Sequence, residues 1–250
     1  MGIIIKSERE IIIMRRAGRI VGNALMELKH QLKPGMKTIE LDKKAEEMIR
    51  ALGGVPSFKG YRGFPGSLCI SVNEQIVHGI PGERVLLEGD VVSLDLGAVV
   101  DGFQGDAAIT VGVGAVSDEA AALITATEAA LAAGIAAAKA GQRLGDVGAA
   151  IQQYAESRGY GVVREYTGHG IGREMHEDPS VPNYGRSGSG MLLKKGMTLA
   201  LEPMLNQGTW RTKVGPDAWT VSTGDGLLSA HFEHTIAIND GEAEVLTVAG

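Results

Sequence analysis

The sequence predicts a mixed α/β (α+β) fold built from two similar helix–helix–strands halves, and three observations carry that reading. Two amphipathic helical stretches are followed by short strand-like runs, and the same order then recurs. Landmarks also reappear at a fixed offset: Lys33-Pro34-Gly35 against Lys139-Ala140-Gly141, and Gly53 against Gly159, both 106 residues on. No composition shift marks a flexible linker, and Gly185 to Gly190 reads as a surface loop. Residues 1–250 are therefore expected to form a single domain, with halves at about 7–113 and 117–240 packed around a pseudo-twofold axis.

Each element has a local reason. Ser7-Glu8-Arg9-Glu10 is a capping box, and apolar residues at Ile13, Ala17, Ile20, Val21, Ala24 and Leu28 make a helical stripe to about His30. Pro34-Gly35 breaks the chain. Thr38 is expected to cap a second helix carrying Leu41, Ala45, Met48, Ile49 and Leu52, stopped by Gly53-Gly54. Strands are expected at Leu68–Val72, Val91–Leu96 and Ala107–Val113. Ser117-Asp118-Glu119 then opens an alanine-rich helix, and another runs from about Leu144 to Ser157, ended by Gly159. Further strands are expected at Gly161–Glu165, Met197–Met204, Ala218–Ser222 and Phe232–Ile238.

Composition sets the class. Hydrophobic residues at 44%, charged residues at 22% and a mean hydropathy near zero describe an ordinary globular chain and exclude wholesale disorder. The longest unbroken apolar run, Ala129 to Ala138, is half the roughly 20 residues a bilayer span needs, so no membrane helix is expected. The charged start (Lys6, Glu8, Arg9, Glu10) lacks the apolar stretch of a signal peptide. A lone cysteine, Cys69, excludes an internal disulfide and points to a reducing, cytoplasmic setting. A net charge of −6 has the wrong sign for a chain-wide nucleic-acid binder. Residues 1–37 nevertheless hold eight Lys/Arg against three Glu, which reads either as a solvated helix face or as a local basic docking patch.

The main chemical signal comes from strand alternation. In Val91–Gly97, Val92, Leu94 and Leu96 share one face, and Val91, Ser93, Asp95 and Gly97 the other. Asp106 shares its face with Ala108 and Thr110, opposite Ile109 and Val111. Glu202 goes with Thr198 and Ala200, opposite Leu199 and Leu201. Glu233 goes with His231, Thr235 and Ala237, opposite Phe232, Ile236 and Ile238. Four acids thus sit on small-residue faces of strands that are greasy behind. A solvated sheet edge would show long polar side chains there instead. Buried together, four carboxylates repel and protonate unless cations neutralise them, and no arginine lies within these strands to do so. A dinuclear metal site is the favoured reading.

Of six histidines, His30 ends a helix and reads as a surface residue. His231 and His234 flank Glu233 as ligands, as supports for ligands or as packing, the last two favoured. His78 follows a turn in Val77-His-Gly-Ile-Pro81, and His169 and His176 lie seven apart in the glycine-rich segment Gly168–Pro179. Four acids plus an imidazole make a hard, oxygen-rich donor set suited to Mn, Fe(II), Co or Zn. No Walker, G-x-G-x-x-G, H-E-x-x-H or G-x-S-x-G motif occurs, and Cys69 reads as packing rather than as a nucleophile.

Asp95, Asp106 eleven later, His169 in Gly-His-Gly-Ile-Gly, His176 seven later, Glu202 in Leu-Glu-Pro and Glu233 in Phe-Glu-His-Thr together closely resemble a type I methionine aminopeptidase. The resemblance covers nearly the whole chain, including Ser71-Val-Asn-Glu and His78-Gly-Ile-Pro. It implies the pita-bread fold, an internally duplicated α/β domain, and an enzyme that removes the initiator methionine from nascent proteins with a small second residue. It implies two divalent metal ions per chain (Co, Mn, Fe(II), Zn or Ni), with Asp95 on one, Asp106 and Glu233 bridging, and His169 and Glu202 on the other. It makes Glu202 the proton carrier, His176 the donor to the developing oxyanion and His78 the holder of the peptide nitrogen. Tyr61, Phe64, Cys69, Met175 and Trp219 are expected to line the methionine pocket. Met175 departs from the family pattern, in which Phe is common, and is expected to soften the pocket without touching a ligand. The resemblance further implies a monomer, transient ribosome contact through the basic N-terminal region and no membrane partner. An Xaa-Pro aminopeptidase would share the ligands but normally carries a large additional N-terminal domain, and a metal-free binding module on the same scaffold would typically have lost ligands.

Overall fold

Ser7 starts the first helix as the sequence requires: its hydroxyl accepts from the Glu10 amide while the Glu10 carboxylate accepts from the Ser7 amide. In the computed structural model, which describes residues 2–250, this helix, α1 (Glu8–Gln31), is followed by α2 (Thr38–Ala51) and the strands β1 (Val55–Pro56), β2 (Leu68–Val72), β3 (Gln75–Val77), β4 (Val91–Val100) and β5 (Phe103–Gly112). The order then repeats with α3 (Asp118–Ala137), α4 (Leu144–Glu156), β6 (Gly161–Val162), β7 (Gly168–Gly170), β8 (Glu177–Val181), β9 (Thr198–Leu201) and β10 (Met204–Asn206). β11 (Thr212–Val214), β12 (Val221–Thr223), β13 (Ser229–His231), β14 (Glu233–Ala237) and β15 (Glu244–Val245) complete the chain.

The principal sheet runs β1-β4-β5-β14-β9-β7-β8, with β2 added at β4 and β15 at β14, and every pairing is antiparallel. Its aliphatic face is covered. Leu94 and Leu96 meet Ala17, Val21 and Leu28 of α1, while Leu199, Leu201 and Ile236 meet Leu123 and Leu131 of α3 and Ile151 of α4. Helix α1 lies so close to β5 that a Cβ on Gly105 would stand 2.6 Å from the Gly18 nitrogen. Helix α3 is long and apolar enough to cross a membrane by length and composition, but alanine supplies much of that apolarity. Its Leu123, Ala130 and Leu131 are buried in the core.

The 106-residue offset extends to the backbone. Gly35 and Gly141 have φ of 90° and 87°, and Gly53 and Gly159 of 84° and 82°. Lys37 bridges Val85 as Arg143 bridges Leu192, and the Gly35 amide donates to Leu86 as the Gly141 amide does to Leu193. The second member of each of these pairs sits one residue further on, which carries Asp95 onto Glu202 rather than Leu201.

Several expected boundaries move. Thr38 is the first residue of α2 rather than its cap, because its hydroxyl is engaged in both directions by Gly82. The run Met197–Met204 divides at Glu202-Pro203, where proline offers no N–H to the ladder. Ala218 stands in a turn at φ 63°, so that strand begins only at Val221. Gly161–Glu165 keeps two strand residues, and Phe232 separates β13 from β14. The N-terminal charge excess is thinner than its count: Lys6, Arg15, Arg16 and Lys37 pair with Glu177, Glu244, Asp101 and Glu83, all outside residues 1–37.

Candidate metal centre and active site

The β4–β5 hairpin turns at Asp101-Gly102, both at positive φ, and pairs Asp95 with Ala108 and Gly97 with Asp106. Asp95 and Asp106 are therefore diagonal neighbours on one face. The register continues across the sheet. Ala108 pairs with Glu233, and Glu202 lies one residue beyond the His234–Leu201 pair, so Asp95, Ala108, Glu233 and Glu202 form a transverse row. In the next row the Thr235 hydroxyl accepts from the Asp106 amide at 3.0 Å and donates to the Asp106 carbonyl at 2.8 Å. Thr235 pairs with Ala200, and Ala200 with His169. All four acids and His169 thus project from one face, spaced by Ala108, Gly97 and Ala200, which leave room between them.

The donor atoms converge. One ligand atom each from Asp106, His169 and Glu233 lie within 4.8 Å of one another, and His169 Nε2 is 3.5 Å from Glu202 Oε1. Asp106, His169 and Glu233 are buried, while Asp95 and Glu202 keep a rim of contact with the cleft. Oδ1 of Asp95, Oδ1 of Asp106 and Oε1 of Glu233 are buried without any hydrogen-bond partner. Orphaned carboxylate oxygens facing one another are costly in an apolar interior, and divalent cations are the group that satisfies them. The His169 Nδ1 lies 2.9 Å from the Gly170 carbonyl, which can only accept, so Nδ1 carries the proton and the Nε2 lone pair faces the acids. That tautomer is the one a metal-ligating histidine uses.

Electrostatics agree. Burial lifts Asp95 to about 7 and pushes Asp106, Glu202 and Glu233 well above the carboxylate range, with mutual repulsion adding to the last three. Burial also drives His169 down to about 3 and His78 to about 4, with the charge of His176 contributing to both. Burial and the nearby acids raise the Cys69 thiol, which rules out a resting thiolate there.

These groups floor a cleft with an apolar wall and about 150 Å³ of space for water-sized molecules. Tyr61, Phe64, Cys69, His78, Met175, His176 and Trp219 all line it together with the four acids and His169, so the metal, catalytic and pocket residues expected from the family resemblance open onto one space. Phe64 meets Trp219 edge-on at 5.2 Å, and His78 meets Trp219 at 6.3 Å. Met175 is buried against this wall. Gly97 permits the approach, since a Cβ there would stand 2.8 Å from Phe58 and 3.1 Å from the Met175 methyl. His176 sits exposed at the mouth, its ring 4.2 Å from that of His169, and Tyr61 OH lies 2.9 Å from its Nδ1.

Two residues of the site escaped the sequence reading. Phe58 and Arg62 line the cleft, and neither carries a motif that marks it. His231 had a signal, its alternation with Glu233, and it is buried with Nε2 3.8 Å from Glu202 Oε2 and 4.0 Å from Glu233 Oε2. His234 points elsewhere and bonds Thr247.

Residues 12–240 match the model of metallopeptidase family M24. The chain belongs to that family. Within it, the methionine aminopeptidase of Clostridium acetobutylicum is 53% identical over 247 residues, covering 98% of this chain and 99% of the relative. The crystal structure of methionine aminopeptidase from Thermotoga maritima superimposes with a TM-score of 0.97 at 47% identity, over 99% of this chain and 100% of that one. An Xaa-Pro dipeptidase from Bacillus anthracis shares the fold at 26% identity and a TM-score of 0.78, but this chain spans only 62% of it. The M24 chain has the pita-bread fold, and its chemistry is divalent-metal-dependent hydrolysis.

Proposed function

We propose that the chain is a methionyl aminopeptidase that removes the initiator methionine from nascent proteins with a small second residue, using two divalent cations held by Asp95, Asp106, His169, Glu202 and Glu233. One observation carries this reading: a floor of orphaned carboxylates and an apolar, sulfur-bearing wall share a single cleft. In this reading the carboxylates of Asp95, Asp106, Glu202 and Glu233 and the Nε2 of His169 would hold the cations. The donor set suits Mn(II), Fe(II), Co(II), Zn(II) or Ni(II). Bound cations supply water activation and carbonyl polarisation at neutral pH.

The side chains do the rest. Glu202, at the edge of the cluster and in contact with the cleft, takes the proton of the attacking water and returns it to the leaving amine. Its backbone is steadied by Asn183, whose side-chain amide donates to the Glu202 carbonyl at 2.9 Å. His176 donates to the developing oxyanion. Tyr61 OH lies 2.9 Å from its Nδ1, and in the tautomer this role requires, the hydroxyl donates to Nδ1 and Nε2–H is the free donor. His78 holds the peptide nitrogen beside the cleaved bond. The acidic floor selects a free α-amino group, and Tyr61, Phe64, Cys69, Met175 and Trp219 receive the thioether.

Because the principal sheet takes strands from both halves and its acids come from both, we read residues 1–250 as a single catalytic domain; monomeric action in the cytoplasm is a further part of the proposal. Ribosome contact is a separate proposal, resting on exposed Arg9, Arg19, Lys29 and Lys33 on and beside α1. Neutralising these four should abolish co-sedimentation with ribosomes, and unchanged co-sedimentation would rule the contact out. The activity itself is tested on Met-Ala-Ser after reconstitution with Mn, Fe or Co. Cleavage that chelator abolishes is expected, with an X-Pro peptide spared. No cleavage in any metal would favour a non-catalytic binding module, and preference for the X-Pro peptide an Xaa-Pro aminopeptidase.

A further inference from the structure

We propose that His231 is a positioning residue of the metal centre, the hydrogen-bond donor that orients the Glu202 carboxylate from behind. The inference rests on the metallopeptidase reading and concerns a side chain to which that reading gives no role. Both ring nitrogens of His231 are buried without a hydrogen-bond partner. An imidazole carries at least one N–H in any state, so one buried donor is unpaired, a cost of roughly 1–3 kcal/mol unless something accepts from it. The acceptors at hand are Glu202 Oε2 at 3.8 Å and Glu233 Oε2 at 4.0 Å, and Glu202 is nearer. A carboxylate rotation of about 1 Å brings that pair into hydrogen-bond range. Carboxylates that hold a metal are themselves hydrogen-bonded, which fixes the lone pair they present.

The ring is held there by design of the strand. Thr110 Oγ1 donates to the His231 carbonyl at 2.7 Å and accepts from the His231 amide at 2.9 Å. Having one proton, Thr110 must accept from Ser93 Oγ at 2.8 Å as well. Ser93 and Thr110 pair directly across β4 and β5, on the same face as Asp95 and Asp106. The hairpin that carries two acids therefore also clamps the backbone of the residue aimed at a third.

Manganese affinity measured by calorimetry on the full chain separates the alternatives. His231→Met, which removes the donor at similar bulk, should weaken at least one binding step about 10- to 100-fold. His231→Gln, which keeps a donor, should restore most of it. Thr110→Val should shift affinity in the same direction by less. In zinc-loaded wild type, nitrogen-15 NMR should show His231 Nε2 protonated, a readout that needs no variant to fold. Wild-type affinity in His231→Met, or an unprotonated Nε2 with the shift of a metal ligand, would overturn the proposal while leaving the metallopeptidase reading intact. Failure of the wild type to bind any divalent metal would overturn both.

Discussion

Glu202 sits where β9 gives way to Pro203, and that break frees its side chain to reach both the cluster and the cleft. Replacing it with Gln keeps an oxygen ligand and removes the proton carrier. Glu202→Gln should lower kcat by roughly 10²- to 10⁴-fold while KM for Met-Ala-Ser changes little, read from initial rates at matched metal content. Met175 belongs to the wall, in an apolar cluster with Phe58, Phe64, Cys69 and Phe103. Met175→Phe should therefore retain methionine cleavage with altered KM, and loss of all activity in folded, metallated protein would show its role misjudged. At this scale the acids were legible because alternation in a strand assigns faces by parity alone, and Asp95, Asp106, Glu202 and Glu233 each broke a greasy pattern. The Tyr61–His176 hydrogen bond was not, since it joins residues 115 apart through a 3-10 turn that no periodicity marks. His231 lay between, on the right face by parity but indistinguishable from packing until its nitrogens proved to be unpaired.

The loop between β7 and β8 carries Met175 and His176, and one buried ion pair anchors it. Lys6 Nζ meets Glu177 Oε2, with the two side chains 3% and 6% exposed, and Glu177 Oε1 accepts from the Arg173 amide at 2.9 Å. Lys6 is itself pinned by its backbone amide to the Gly196 carbonyl. Removing one partner leaves a buried charge unanswered. Lys6→Met should cost about 3–5 kcal/mol of stability in urea denaturation and lower kcat by displacing His176. The long helices were read correctly from sequence because capping boxes and apolar stripes are local signals, whereas β4 and β5 each extend four residues further toward their shared turn than expected. β7, β11 and β15 were not, because two or three residues carry no period and pair only where a neighbouring strand offers its edge. The Asp101-Gly102 turn follows a different logic: only its tight, positive-φ geometry makes the eleven-residue spacing of Asp95 and Asp106 a diagonal on one face.

Across the whole molecule, the buried acids make stability depend on metal and on pH. In the unfolded chain carboxylates ionise near 4, whereas in the folded, metal-free protein burial lifts Asp95 to about 7 and, with mutual repulsion, holds Asp106, Glu202 and Glu233 well above the carboxylate range. The folded state then holds protons that the unfolded state has lost, so stability falls as pH rises through these values. Buried His169 and His231 at about 3, with His78 and His234 at about 4, act oppositely, but their contribution is complete once pH passes roughly 6.5. The Tm of chelator-treated protein should therefore decline from about pH 6.5 to 9, and saturating Mn(II) should raise Tm and flatten the decline. A flat profile without metal would mean that the acids are not confined as described. The duplicated architecture was legible from two glycine pairs, whereas the slip of one residue that sets Glu202 opposite Asp95 appears only in the backbone hydrogen bonds. The most direct test of the account is anomalous scattering from a manganese-loaded crystal. Two peaks enclosed by Asp95, Asp106, His169, Glu202 and Glu233 are the expected result. Full occupancy elsewhere on the protein, with these five side chains facing an empty cleft, would contradict it.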